Sequence, residues 1–308
     1  MNAEDLMAQL SSEDESIRSE AVDDIGWADM GAALGALVAR LQIESSQAVR
    51  EGIVAALARL TDPRVPASVA ALLTHEEAAV RNAALRILQK KGRGSLDAIQ
   101  RAFREGNADV RKLAIDATAR WVGSEVDALY GAALVDHDLN VRMSAVESIE
   151  EHGRGAFRER LEELFRTESD PMMLSTLLSA LLVVGGDSTW SAIQSRYPTL
   201  ESAPPHQRAL WIRAFGQWAG PSEMKLLGDG ISRIPRNANA ELFDAIRTLQ
   251  ERHPGMTVPE PLLEWLRSLS GAPELTPLGR RIREWLATAL PLPDRLESVR
   301  PLATRRGE

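Results

Sequence analysis

The stretch Asp138-Leu139-Asn140-Val141-Arg142-Met143-Ser144-Ala145-Val146-Glu147-Ser148-Ile149 decides the fold. With Val141 as position zero, its apolar residues fall at 0, +4, +5 and +8. That is one stripe on a helix of 3.6 residues per turn and does not fit strand alternation. Asp138 at −3 is a good N-cap, because its carboxylate can accept from the free N–H groups of the first turn. Working outward, the same pattern recurs. Ile17-Arg18, Val49-Arg50, Val80-Arg81, Val110-Arg111 and Val141-Arg142 lie 32, 31, 30 and 31 residues apart. Each is followed at +4 and +5 by two apolar residues: Ala21-Val22, Ile53-Val54, Ala84-Leu85, Ala114-Ile115 and Ala145-Val146. A fixed period near 31 residues is the signature of a solenoid, in which each unit buries its apolar face against its neighbours.

The −3 position reads Asp14, Ser46, Glu77, Asn107 and Asp138, and Ser169 in a degenerate sixth unit. Glu77 is the exception among short caps. Thr74 three residues earlier predicts a capping box that starts that helix sooner. A second, shorter helix completes each unit, predicted over Met30 to Leu41, Pro66 to Leu73, Ser95 to Phe103, Val126 to Leu134 and Ala156 to Phe165. Thr61-Asp62-Pro63, Gly92, Gly94, Gly123, Gly153 and Gly155 punctuate the helices.

The pattern Asp/Ser-x-x-Val-Arg-x-x-Ala-Val, then a turn and a second apolar helix, resembles short HEAT repeats, in particular those of phycobilisome (bilin) lyases and bacterial scaffold proteins. The resemblance covers about residues 13–185 and implies an all-α, right-handed α-solenoid of the armadillo/HEAT superhelix type. It implies nothing definite about activity.

The expected organisation is regular repeats over 1–185, a degenerate Pro/Trp-rich helical region and C-terminal cap over 186–300, and a flexible tail over 301–308. Fourteen of the 16 prolines lie from Pro171 onward and five of the seven tryptophans from Trp190 onward. Helices are still predicted at Gln207–Trp218, Ala240–Gln250, Pro261–Leu269 and Gly279–Leu290. Trp211 and Trp218 share a helix face and read as core or cap.

Composition narrows the function. With no cysteine there is no thiolate nucleophile and no Cys-based metal site. The acidic N-terminus does not read as a signal peptide, and no apolar run approaches a bilayer span. A cytoplasmic protein without membrane association is expected. The net charge of −8 argues against general affinity for nucleic acid. That charge is blocked: residues 1–30 carry net −8, residues 31–120 net +5 and residues 121–170 net −7.

Two arginine sets are candidates. The ladder Arg18, Arg50, Arg81, Arg111 and Arg142 recurs once per unit, so it is expected to be structural, pairing with an acid or turn carbonyl of the next unit. In HEAT arrays the second helix of a unit lines the groove. Positions +2, +6 and +10, with the residues beside them, then put Arg59, Arg86, Lys90, Arg93, Lys112 and Arg120 into a basic centre. Acidic ends at Asp23 and at Glu147 and Glu151 flank it. No cofactor is expected, and no metal, since His75 and His137 sit in turns that a repeat holds in a row and not around a point. No phosphate loop, dinucleotide fingerprint or nucleophile elbow is present.

The sequence thus reads as a non-catalytic scaffold or adaptor, monomeric apart from a protein partner that offers an acidic segment or helix. Two alternatives stay open. One, implied by the resemblance, is a bilin-lyase-like maturation chaperone acting on a cofactor-bearing client. The other is a HEAT-like DNA glycosylase, which the acidic net charge disfavours.

Overall fold

A computed structural model describes residues 3–230, 238–271 and 276–289. The chain divides into two compact units, Met1–His152 and Gly153–Glu308. The first holds ten α-helices in chain order: α1 Ala3–Gln9, α2 Glu15–Trp27, α3 Leu34–Ile43, α4 Gln47–Arg59, α5 Val65–Ala70, α6 Ala78–Lys91, α7 Leu96–Glu105, α8 Ala108–Thr118, α9 Ser124–Ala133 and α10 Leu139–Glu151. The described helices of the second are α11 Arg158–Thr167, α12 Pro171–Val184, α13 Thr189–Arg196, α14 Arg208–Trp218, α15 Met224–Gly230, α16 Asn239–Arg252, α17 Glu260–Ser270 and α18 Thr276–Ala289. The described residues contain no strand.

In the first unit α2, α4, α6, α8 and α10 pack consecutively as one layer, while α3, α5 and α7 follow one another in a second layer. The apolar stripe explains the inner layer. Val49, Val80, Val110 and Val141 at position zero are buried, and all five +4 residues are fully buried. Ile17 departs from its equivalents and is 39% exposed.

Four of the expected caps form. Asp14, Ser46, Asn107 and Asp138 each accept backbone N–H groups from the first turn of their helix. Two cap expectations are corrected. The sixth is made by Asp170, which accepts from Met172 and Met173 N, and not by Ser169. Pro171 at N1 has no N–H to satisfy and a backbone angle suited to a helix start, so the residue just before it becomes the cap. The Thr74 capping box does not form either. Thr74 donates to the Ala71 carbonyl, and His75 Nδ1 accepts from Glu77 N at 3.1 Å.

Turns add a periodic polar seam. Asp29 Oδ1 accepts from Thr61 N at 2.7 Å and Oδ2 from Thr61 Oγ1 at 2.5 Å. These bonds hold the carboxyl below the usual aspartate range. They also hold Asp29 at φ 50°, a left-handed conformation that aspartate tolerates better than most residues. One unit further on, the Lys91 ammonium donates to the Leu60 carbonyl, and burial pushes its pKa down.

Within the second unit α12, α14, α16 and α18 follow one another, and α13 packs on α11. The core there is aromatic. Trp211 is fully buried, stacks on Phe215 at 5.4 Å and meets Trp190 edge-on at 5.3 Å, while its indole N–H donates to the Tyr197 carbonyl at 3.0 Å. Trp218 is half-buried. Helices α1, α13 and α15 were not expected from the periodicity. The expected 301–308 tail lies outside the described residues.

Candidate functional site

The arginine ladder follows one rule. Arg18 donates to the Ser12 and Glu13 carbonyls, Arg50 to Glu44, Arg81 to His75 and Glu76, Arg111 to Gly106, and Arg142 to Asp136 and His137. Each guanidinium thus ties down the turn five or six residues before it, within its own unit. The acid of the next unit joins in only where chemistry allows. Arg18 meets Glu44 through two hydrogen bonds of 3.0 Å, and Arg111 meets Asp136 through bonds of 2.7 and 2.8 Å. The equivalent position opposite Arg50 is His75 and opposite Arg81 is the exposed Glu105, and neither pairs with its arginine.

Across α6, α8 and α10 lies a cleft of about 710 Å³. The helices position its walls through the +2, +6 and +10 offsets: Arg86 and Lys90 from α6, Lys112 and Asp116 from α8 with Arg120 just beyond it, and Glu147 and Glu151 from α10. Small side chains leave the space. Ala117, Ser144 and Ser148 line the floor, where larger apolar residues would fill it. Beneath it the buried Tyr130 hydroxyl bonds Ser148 Oγ at 2.6 Å.

Four of the six expected basic residues therefore converge. The other two are engaged elsewhere. Arg59 stacks its guanidinium over Trp27, 4.1 Å from the ring centroid, and Arg93 donates to the Val122 carbonyl and to Glu125. Arg86 reaches both carboxylate oxygens of Glu51 at 2.7 Å, so part of its charge is already answered. Lys90, Lys112 and Arg120 make no ion pair with a carboxylate among the described residues.

Of the expected acidic flank, Glu147 and Glu151 line this cleft together with Asp116, and Asp23 does not. Burial pushes the Asp116 carboxyl up, Lys112 pulls it back, and Glu147 and Glu151 push it up further. Gln89, Ala119, Trp121 and His152 complete the lining and were not among the expected groove residues. Trp121 and His152 both stand at +11, one residue past the expected row, where a helix ends and the offset pattern loses its meaning. Gln89 donates to the Asp116 carbonyl at 3.2 Å, and His152 Nδ1 bonds the Ser148 carbonyl at 3.1 Å. No group of three or more His, Asp or Glu among the described residues is placed to hold a metal ion. No described helix is long and apolar enough to cross a membrane.

In the first unit, paired helices stacked at a 31-residue period, with one arginine-tied helix per repeat, form an α-solenoid of HEAT-like repeats. Residues 3–89 match the family model for HEAT repeats. No curated protein matches the chain. Solved structures similar to it include a chain of the CpcE–CpcF complex of phycocyanin lyase from Nostoc sp. PCC7120. That chain has 16% identity and a TM-score of 0.29, over 82% of this chain and 94% of that one. A second comes from a study of the phosphorylation switch controlling the interaction between cadherin and beta-catenin, with 15% identity, a TM-score of 0.37 and coverage of 97% and 66%. A third is an engineered protein with 17% identity, a TM-score of 0.23 and coverage of 82% and 98%. No function passes from these structures to this chain.

Proposed function

We propose that this chain is a non-catalytic interaction protein that holds an acidic segment of a protein partner in the cleft across α6, α8 and α10. The observation that carries the reading is the set Lys90, Lys112 and Arg120, three cations that share one cleft with no carboxylate paired to any of them. Structural bases in this protein are tied to carbonyls or acids, as the ladder is. Bases left open on a concavity instead raise the local concentration of acidic partners and speed their docking. A nucleic-acid backbone fits less well, because Asp116, Glu147 and Glu151 in the same cleft would face its phosphates.

The test is affinity capture of a partner on the full chain, followed by titration at low and high salt against Lys90→Glu/Arg120→Glu. Both positions are exposed and off the apolar stripe, so the fold should survive. Arg86 is left alone because reversing it would also repel Glu51. The expected result is a strong loss of affinity at low salt that shrinks near 1 M salt, where the Debye length is about 3 Å. Equal affinities at low salt, or tighter binding to duplex DNA than to the captured protein, would sink the reading.

A further inference from the structure

The cleft has two poles of opposite charge. Arg86, Lys90, Lys112 and Arg120 make the positive arm on α6 and α8; Asp116, Glu147 and Glu151 make the negative arm on α8 and α10. Lys112 and Asp116 are one helical turn apart, the spacing at which an ion pair closes on many helices. Here no ion pair joins the arms among the described residues. Glu147 and Glu151 are also one turn apart, a like-charge spacing that costs stability. Both press on Asp116, whose burial already disfavours its charge.

A uniformly acidic ligand long enough to fill this cleft would relieve the positive arm and aggravate the negative one. A uniformly basic ligand would do the reverse. Only a ligand carrying both signs in the matching order relieves both, and like-charge contact then rejects the reversed order. Resting on the reading of this cleft as a protein-binding site, we infer that the partner segment is charge-ordered. Its acidic residues face Lys90, Lys112 and Arg120, and a lysine or arginine of the same segment faces Asp116, Glu147 and Glu151.

The spacing follows from the fold. Adjacent packed helices lie about 8–10 Å apart. At about 3.3 Å per residue the basic residue falls about three positions from the acidic ones in an extended segment. At about 1.5 Å per residue it falls about six positions away in a helix.

The experiment is selection of a random dodecapeptide display library on the full chain and on two variants, Lys90→Glu/Arg120→Glu and Glu147→Lys/Glu151→Lys. Peptides selected by the natural chain should carry an Asp/Glu cluster with Lys or Arg at one of those two spacings. The Glu147→Lys/Glu151→Lys variant should lose the Lys/Arg enrichment and keep the acidic cluster. Moving the basic residue of a selected peptide to the other side of its acidic cluster should weaken binding at least about tenfold, because it replaces an attraction with a like-charge contact. Acidic peptides with no ordered basic residue, or equal binding of both orders, would overturn the inference and leave the acidic-segment reading standing. Selection of peptides with no acidic enrichment would overturn both. Circular dichroism of each variant checks that the helices remain.

Discussion

Arg18 and Glu44 close a two-point ion pair between consecutive repeats, with hydrogen bonds of 3.0 Å on both arms and both side chains nearly sealed from water. The same carboxylate accepts from Arg40 at 2.6 Å and from Ser46 N at 2.8 Å. Burial alone would push the Glu44 carboxyl up, but the bonds from Arg40 and Arg18 override it and bring it from an ordinary 4.5 down to about 2. A depressed folded-state value means the stabilisation is fully present above 4.5 and is lost as pH falls through about 2. Glu44→Gln should therefore flatten the acid limb of the stability curve between those values, as measured by urea unfolding across pH. Glu44→Ala should cost about 3 kcal/mol at neutral pH, since it leaves Arg18 buried without its carboxylate. An unchanged acid limb in Glu44→Gln would mean that Glu44 does not control it.

The ladder arginines should not be equal. Arg111→Ala strands Asp136, a nearly buried acid whose charge is held by two bonds from that guanidinium, and should cost about 3 kcal/mol. Arg81→Ala loses only bonds to the His75 and Glu76 carbonyls and should cost about 1 kcal/mol. The cost of Arg111→Ala/Asp136→Ala should fall short of the sum of its single changes, because the two residues share one interaction. Chemical denaturation of the set decides it. Equal losses at Arg81 and Arg111 would show that the carboxylate adds nothing to the rung.

The repeat itself was legible because its cause is local. A buried stripe at 0, +4, +5 and +8 and a capping side chain at −3 must lie within one helix, and both can be read off adjacent residues. What lay beyond reading depends on neighbours. Ile17 and Val80 hold the same repeat position, yet Ile17 is half-open and Val80 sealed, because burial at that position depends on neighbouring helices and not on the motif. Arg59 and Lys90 hold the same +10 position, and only the structure shows that Trp27 takes Arg59 out of the basic set. The acidic flank and the basic centre likewise counted as separate blocks along the chain, whereas α8 and α10 pack side by side and place Asp116, Glu147 and Glu151 within one cleft.

Position zero provides a paired test. Val80→Asp buries an unpartnered carboxylate between α6 and its neighbours and should cost several kcal/mol, on the order of 3–5. Ile17→Asp, the equivalent change at a side chain already 39% exposed, should cost about 1 kcal/mol or less. Thermal denaturation of both variants compares them directly, and similar losses would show that repeat position outweighs burial.

Asp116 reports the charge of the cleft without any partner. Its folded-state pKa is raised by burial, with Glu147 and Glu151 adding to the effect against Lys112. A raised value reverses the sign found at Glu44. Stability is favoured below the ordinary aspartate range and is lost as pH rises through the folded-state pKa, because the protonated acid fits this place better than the carboxylate. Asp116→Asn should therefore raise stability at neutral pH and change it little in strong acid. The gain should be held to about 0.5 kcal/mol, since solvent reaches part of the side chain and screens the neighbouring charges. The titration of its carboxyl carbon by NMR separates the causes. Glu147→Gln/Glu151→Gln should move the midpoint down, and Lys112→Met should move it up. If neither variant moves it, the three carboxylates and the lysine do not share an electrostatic site, and the ordered charge of the cleft loses its physical basis.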